Sequence, residues 1–178
     1  MTQDEEADFT KLVQRQSRFI FRVAYAVLLN SHDAEDAVQE TFLKLYRNSG
    51  WREAENERAY LARVAWRVAV DRCRSAHPVA ALIESSPLDD APSLQPGPEQ
   101  TLLATNQHEL VHSLIDALPE ELRVPLVLGA FEELNSREIA AILNTPEGTV
   151  RTRQQRARQI LRQKLETLNV RSQETRYA

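Results

Sequence analysis

The chain has 178 residues and a net charge of −4, with 42% hydrophobic and 27% charged residues. That balance suits a globular chain that buries its core as one domain or two small ones, and it excludes a disordered or fibrous polymer. No apolar run reaches membrane-spanning length, the start MTQDEEADF is acidic rather than a cationic leader, and the single Cys73 allows no internal disulfide, so a cytoplasmic protein without membrane insertion is expected.

Phe9, Leu12, Val13, Phe19, Ile20, Val23, Ala24 and Val27 recur at helical spacing and predict a first helix. Asn30 and Ser31 interrupt it. A second helix is expected from about Asp33 to Arg47, with Ala34, Val38, Phe42 and Leu45 inward and Gly50 as a stop. Asp33, Asp36 and Glu40 share one face of that helix, with Glu35 nearby and Gln39 beside Glu40. Such a face suits a basic partner surface. The plainer reading is a solubilising surface with acids at a helix start. Phe42, Leu43 and Leu45 are assigned to the core.

A third helix is expected from about Glu57 to Arg74, with Leu61, Val64, Ala65, Val68 and Ala69 as its apolar stripe. Opposite lie Asn56, Tyr60, Arg63, Arg67 and Arg74. Cations and an aromatic on one face suit an opened DNA strand, because arginine meets phosphate and exposed bases stack. Trp51 and Trp66 are open to two readings, packing or a DNA contact.

Residues 75–100 break the helical pattern. They hold five of the eight prolines, and Glu84, Asp89, Asp90 and Glu99 without a base. Acids and bases balance on either side, twelve of each before this segment and ten of each after it, so it carries the whole net charge. Proline rules out helix interiors and sheet centres, and the segment is expected to be an extended acidic linker between domains 1–74 and 101–178.

Beyond it, Leu102, Leu103, Leu110, Leu114 and Ile115 mark a fourth helix. A fifth is expected to start with Pro119 in its first turn and to bend at Pro125. Asn135-Ser-Arg-Glu138 matches a capping box, and Ile139, Ala140, Ile142 and Leu143 continue it as a short amphipathic helix. A tight turn follows. Thr145 is expected to cap the last helix, with Pro146 at its first position. Two short helices joined by a tight turn, the second basic, form a helix-turn-helix. On that second helix Val150, Ala157, Ile160, Leu161 and Leu168 share one face. Arg151, Thr152, Gln155, Arg156, Gln159 and Arg162 lie opposite, a combination able to meet phosphates and base edges. A solvated basic face is the plain alternative.

His108 with His112, and Cys73 with His77, have the spacing of a metal pair. Neither has a third ligand nearby, and both are read as ordinary side chains. No glycine loop for phosphates is present, and neither an enzyme, a metal nor a cofactor is expected.

The segment ALPEELRVPLVLGAFEELNSREIAAILNTPEGTVRTRQQRARQILRQKL resembles region 4 of bacterial sigma factors of the extracytoplasmic-function (ECF) class. HDAEDAVQETFLKLYR resembles region 2.2, and ERAYLARVAWRVAVDRCRS resembles regions 2.3 and 2.4. The resemblance implies an all-α protein, a region 2 bundle and a region 4 helix-turn-helix joined by the linker. It implies binding to core RNA polymerase and transcription initiation at promoters. Asp33, Glu35, Asp36, Gln39 and Glu40 would meet the β′ clamp helices, and region 4 the β flap. Trp51, Arg52, Asn56, Arg58, Tyr60, Arg63, Arg67 and Arg74 would recognise and melt the −10 element. Arg151, Thr152, Gln155, Arg156 and Gln159 would read the −35 element. Arg67 stands where the family often has Asn. An anti-sigma factor is a further implied partner. A standalone helix-turn-helix regulator and a polymerase adaptor without promoter contacts are the competing readings. The region 2.2 string argues against the first, and the basic helix against the second.

Overall fold

The computed structural model describes residues 3–76 and 105–174. Their regular structure is α1 (Gln3–Leu28), α2 (Ser31–Arg47), a 3-10 turn (Ser49–Trp51), α3 (Glu57–Ala76), α4 (Thr105–Asp116), α5 (Glu120–Ala130), α6 (Ser136–Leu143) and α7 (Glu147–Glu174). Ser75 and Ala76 of the expected linker finish α3. The rest of the linker lies outside the described residues, as do Leu102, Leu103 and His77. No helix of the described residues is long and apolar enough to cross a membrane.

The first three helices pack on one another as a bundle. Leu12, Ile20, Val23, Leu45, Leu61 and Val68 are its largest fully enclosed side chains. The reversal between α1 and α2 places Leu29 in the left-handed region at φ 51°. Asn30 then caps α2, its Oδ1 accepting the Asp33 N–H at 3.1 Å. The cap starts α2 at Ser31, slightly before the expected Asp33. Leu43 corrects the expected core, since it is 57% exposed while Phe42 and Leu45 are buried. The inward stripe of α2 runs through Ala34, Ala37, Thr41, Phe42 and Leu45, and 100° per residue turns Leu43 outward.

Gly50 is not the stop of α2. The helix ends at Arg47, Asn48 caps it, and no described glycine has positive φ. A Cβ there would lie 3.0 Å from the Tyr60 hydroxyl, a tight contact.

α5, α6 and α7 form the second unit. Pro119 caps α5 from outside, one position earlier than expected, and the helix continues through Pro125. The capping box is complete. Asn135 Oδ1 accepts the Glu138 N–H at 3.0 Å, and Glu138 Oε2 accepts the Asn135 N–H at 2.8 Å. Asn144, left-handed at φ 50°, ends α6. Thr145 departs from its expected role, because its hydroxyl donates backward to the Leu143 carbonyl at 3.1 Å.

One buried polar group ties α5 to α7. Gln154 lies on the inner face of α7, and its Nε2 donates to the Pro125 carbonyl at 2.9 Å. A Cβ on Gly129 would sit 2.2 Å from that nitrogen. Gly129→Ala is therefore expected to destabilise the fold by about 1–3 kcal/mol through overpacking. Urea denaturation should show a lower midpoint at unchanged slope.

The two units are docked. α1 packs on α5 and α3 packs on α6, so the buried apolar residues of both halves form one continuous cluster.

Candidate nucleic-acid interface

The helix-turn-helix presents its expected face. Val150 and Ala157 are fully buried, and Ile160, Leu161 and Leu168 are partly so. Arg151, Thr152, Gln155, Arg156 and Gln159 are all exposed. Arg151 Nη2 reaches Glu147 Oε1 one turn earlier, at 2.5 Å, and the Thr152 hydroxyl donates to the Gly148 carbonyl at 2.9 Å. A shallow groove between the start of α6 and α7 is lined by Asn135, Ser136, Arg151, Gln155 and Arg158. Arg158 was not among the predicted readers. Its signal was spacing, three residues beyond Gln155 and seven beyond Arg151.

The α3 face is also cationic. Arg63, Arg67 and Arg74 are exposed and Tyr60 is half-buried. Arg67 and Tyr60 line a groove whose other wall carries Lys44, Arg47 and Asn48 from the end of α2. Lys44 and Arg47 were missed because their helix was read for its acids. Trp51 is 8% exposed and packed, with its ring 6.5 Å from that of Phe9. Arg52 lies over that indole at 4.8 Å and donates to the Glu5 carbonyl at 3.1 Å. Asn56 caps α3, its Oδ1 accepting the Ala59 N–H at 3.0 Å. Trp66 is half-buried and borders a groove with Pro119, Val124 and Leu143.

On α2, Asp33, Glu35, Asp36 and Gln39 are exposed and Glu40 is half-buried. Arg72 of α3 reaches across, 2.8 Å from Asp36 and 3.5 Å from Glu40, and Lys44 approaches Glu40 at 3.1 Å. Leu43 and Tyr46 continue this face as exposed apolar side chains. The surface is thus acidic at one end and apolar at the other.

Buried charge concentrates where the two units meet. The Glu132 side chain is 0% exposed and pairs with Arg22 of α1 and Arg58 of α3. That hydrogen bond raises the affinity of Arg22 for its proton, against a smaller opposing effect of burial. Arg123 is buried and donates to the Ala26 carbonyl at 2.7 Å and the Leu118 carbonyl at 2.6 Å. Burial lowers its pKa, offset in part by Glu120, Asp116 and Tyr25. Tyr25 donates to Asp116 at 3.2 Å; burial first, and the Asp116 charge second, raise its phenol. Asn56 reaches Glu138 across the same interface. Among the described residues no cluster of His, Cys, Asp and Glu could hold a metal. His112 is exposed, and the His108 side chain lies outside the described residues.

Residues 12–78 match Sigma-70 region 2, and residues 108–172 match Sigma-70, region 4. The chain is 32% identical over 152 residues to the ECF RNA polymerase sigma factor SigE of Mycolicibacterium smegmatis, covering 85% of this chain and 59% of that protein. It therefore spans somewhat more than half the length of that relative. It is 31% identical over 173 residues to the ECF RNA polymerase sigma factor SigW of Bacillus subtilis, covering 93% of this chain and 92% of that protein. Its fold is similar to that of the sigma factor RpoE, solved in complex with the anti-sigma factor NepR from Bartonella quintana. The TM-score is 0.66 at 19% identity, covering 89% of this chain and 97% of that one.

Proposed function

The chain belongs to the ECF sigma factors, and on that premise we propose that it binds core RNA polymerase in the cytoplasm and directs it to promoters, acting as an initiation factor rather than an enzyme. The observation that carries this reading is the presence of three surfaces on one chain: the acidic-to-apolar face of α2, the cationic groove of α3, and the exposed readers of α7. A standalone regulator needs only the last of these. The α2 face is assigned to the polymerase, with Leu43 and Tyr46 extending the predicted contact. The α3 groove is assigned to the −10 strand, and α7 to the −35 major groove. An anti-sigma factor is proposed as a regulator. Purified core enzyme with a library of random promoter DNA tests the whole reading. Enrichment of two spaced motifs, dependent on both core and this chain, supports it; enrichment by the chain alone favours the regulator.

Arg67 gives a sharper check of the −10 assignment. It is exposed and shares a groove with Lys44, Arg47 and Tyr60. Arg67→Ala is expected to reduce transcription from the selected promoter about ten-fold, the scale of one charged hydrogen bond. Binding to −35 duplex should change little. Equal activity on every −10 variant would reduce Arg67 to a surface charge.

A further inference from the structure

A cavity of about 330 Å³ opens where α1, α4 and α5 meet, within the size range of small-ligand pockets. Such pockets favour the seams between units and combine apolar walls with a few polar groups. Here Phe21, Tyr25, Ile115, Val127 and Phe131 supply the walls. Phe21 and Tyr25 stack at 5.9 Å with their planes 19° apart, a nearly parallel aromatic pair. Phe131 lines the same cavity and is 44% exposed.

The polar part centres on Arg123, which is only 5% exposed. Its hydrogen bonds leave from Nε, to the Ala26 carbonyl, and from Nη1, to the Leu118 and Asp116 carbonyls. No described residue accepts from Nη2. Among the described residues no enclosed side-chain nitrogen lacks a partner, so Nη2 borders the cavity that Arg123 lines. A guanidinium held through two of its nitrogens is preorganised to give its third to one more acceptor. Burial lowers its hold on the proton, and an anion beside it would offset that.

The other charged groups set the sign of the ligand. Arg22 lines the cavity while giving Nε and Nη2 to Glu132, and His112 is exposed on the α4 side. Asp116 is the one carboxylate among the lining residues, and it already accepts the Tyr25 hydroxyl at 3.2 Å. A cation would meet two guanidiniums. A carboxylate would meet an available N–H and one acid engaged elsewhere.

We propose that this cavity binds a small aromatic carboxylate, its ring on Phe21, Tyr25 and Phe131 and its carboxylate on Arg123 Nη2. None of the lining residues is assigned to polymerase or promoter, so the site is independent of those assignments.

Cinnamate, cinnamamide and cinnamylamine share one ring and differ in charge. Each is titrated into the isotope-labelled full-length chain and followed by amide NMR. Cinnamate should shift the amides of Tyr25, Asp116 and Val127 saturably and bind about ten-fold or more tightly than cinnamamide, the scale of one charged hydrogen bond. Cinnamylamine should not bind. Phe131→Ala should weaken cinnamate and cinnamamide alike, by about five-fold through lost ring contact, and keep their ratio. Arg123→Gln should bring cinnamate down to the affinity of cinnamamide. If Arg123→Gln fails to fold by circular dichroism, the ratio in the wild-type chain and the Phe131→Ala result decide together. Equal affinities for cinnamate and cinnamamide, tighter binding of cinnamylamine, or no saturable shift of the cavity amides overturns the site. So does a folded Arg123→Gln that keeps the ratio, or a Phe131→Ala with unchanged affinities. Polymerase and DNA are absent from these titrations, so their outcome is separate from that of the sigma-factor reading.

Discussion

Changing Asp36 and Glu40 together to lysine is expected to abolish co-purification with core RNA polymerase. Both carboxylates lie on the outer side of α2, next to exposed Asp33, Glu35 and Gln39. Reversal replaces an attractive pairing with like-charge contact, which costs several kcal/mol at an interface, about a thousand-fold or more in affinity. The structure adds a complication. Arg72 lies 2.8 Å from Asp36 and 3.5 Å from Glu40, so the two lysines would also face a cation within the protein. Exposed pairs of this kind stabilise by only about 0–1 kcal/mol, and the bundle should survive. Circular dichroism and the denaturation midpoint check that survival. Leu43→Ala and Tyr46→Ala test the apolar end independently, because neither alters charge. Unchanged binding of the double lysine variant, with the fold intact, would remove α2 as the polymerase surface.

Arg156→Ala is expected to relax preference at one base pair of the −35 element, while Arg151→Ala weakens binding to every sequence alike. The difference follows from their positions on α7. Arg151 stands one turn into α7, oriented by Glu147, and is proposed to meet phosphate. Arg156 is exposed further along the helix beside Gln155, on the face opposite buried Val150 and Ala157. A paired hydrogen bond from arginine to guanine, or from an amide to adenine, discriminates by about 1–3 kcal/mol. Loss of one phosphate contact should flatten the dependence of log affinity on log salt by about one unit. Titrating the full-length chain against a panel of single-base duplex variants at several salt concentrations measures both. A wild-type ranking retained by Arg156→Ala would show that this side chain reads no base.

Local chemistry was legible in the sequence by itself. The capping box of Asn135 and Glu138, the short α6, the basic α7 and the apolar stripes of α1 and α3 depend on residues three to seven positions apart. Helix geometry brings such neighbours together whatever the rest of the chain does. For the same reason the outward placement of Arg151, Thr152, Gln155, Arg156 and Gln159 followed from spacing. Leu43 was also a local matter, and applying the 100° step to α2 as strictly as to α7 would have placed it outside.

Tertiary structure decided what depends on distant partners. A Cβ on Gly50 would press on the Tyr60 hydroxyl, and one on Gly129 would displace the Gln154 amide of another helix. Trp51 is packed near a ring on α1. Most of all, the docking of the two units was not legible. Glu132 meets Arg22 and Arg58 across 110 and 74 positions of sequence, and in the linear chain it is one acid in a polar turn. Charge carries no address for its partner, and only the packing of α1 on α5 and α3 on α6 excludes the water that would otherwise leave that carboxylate unremarkable.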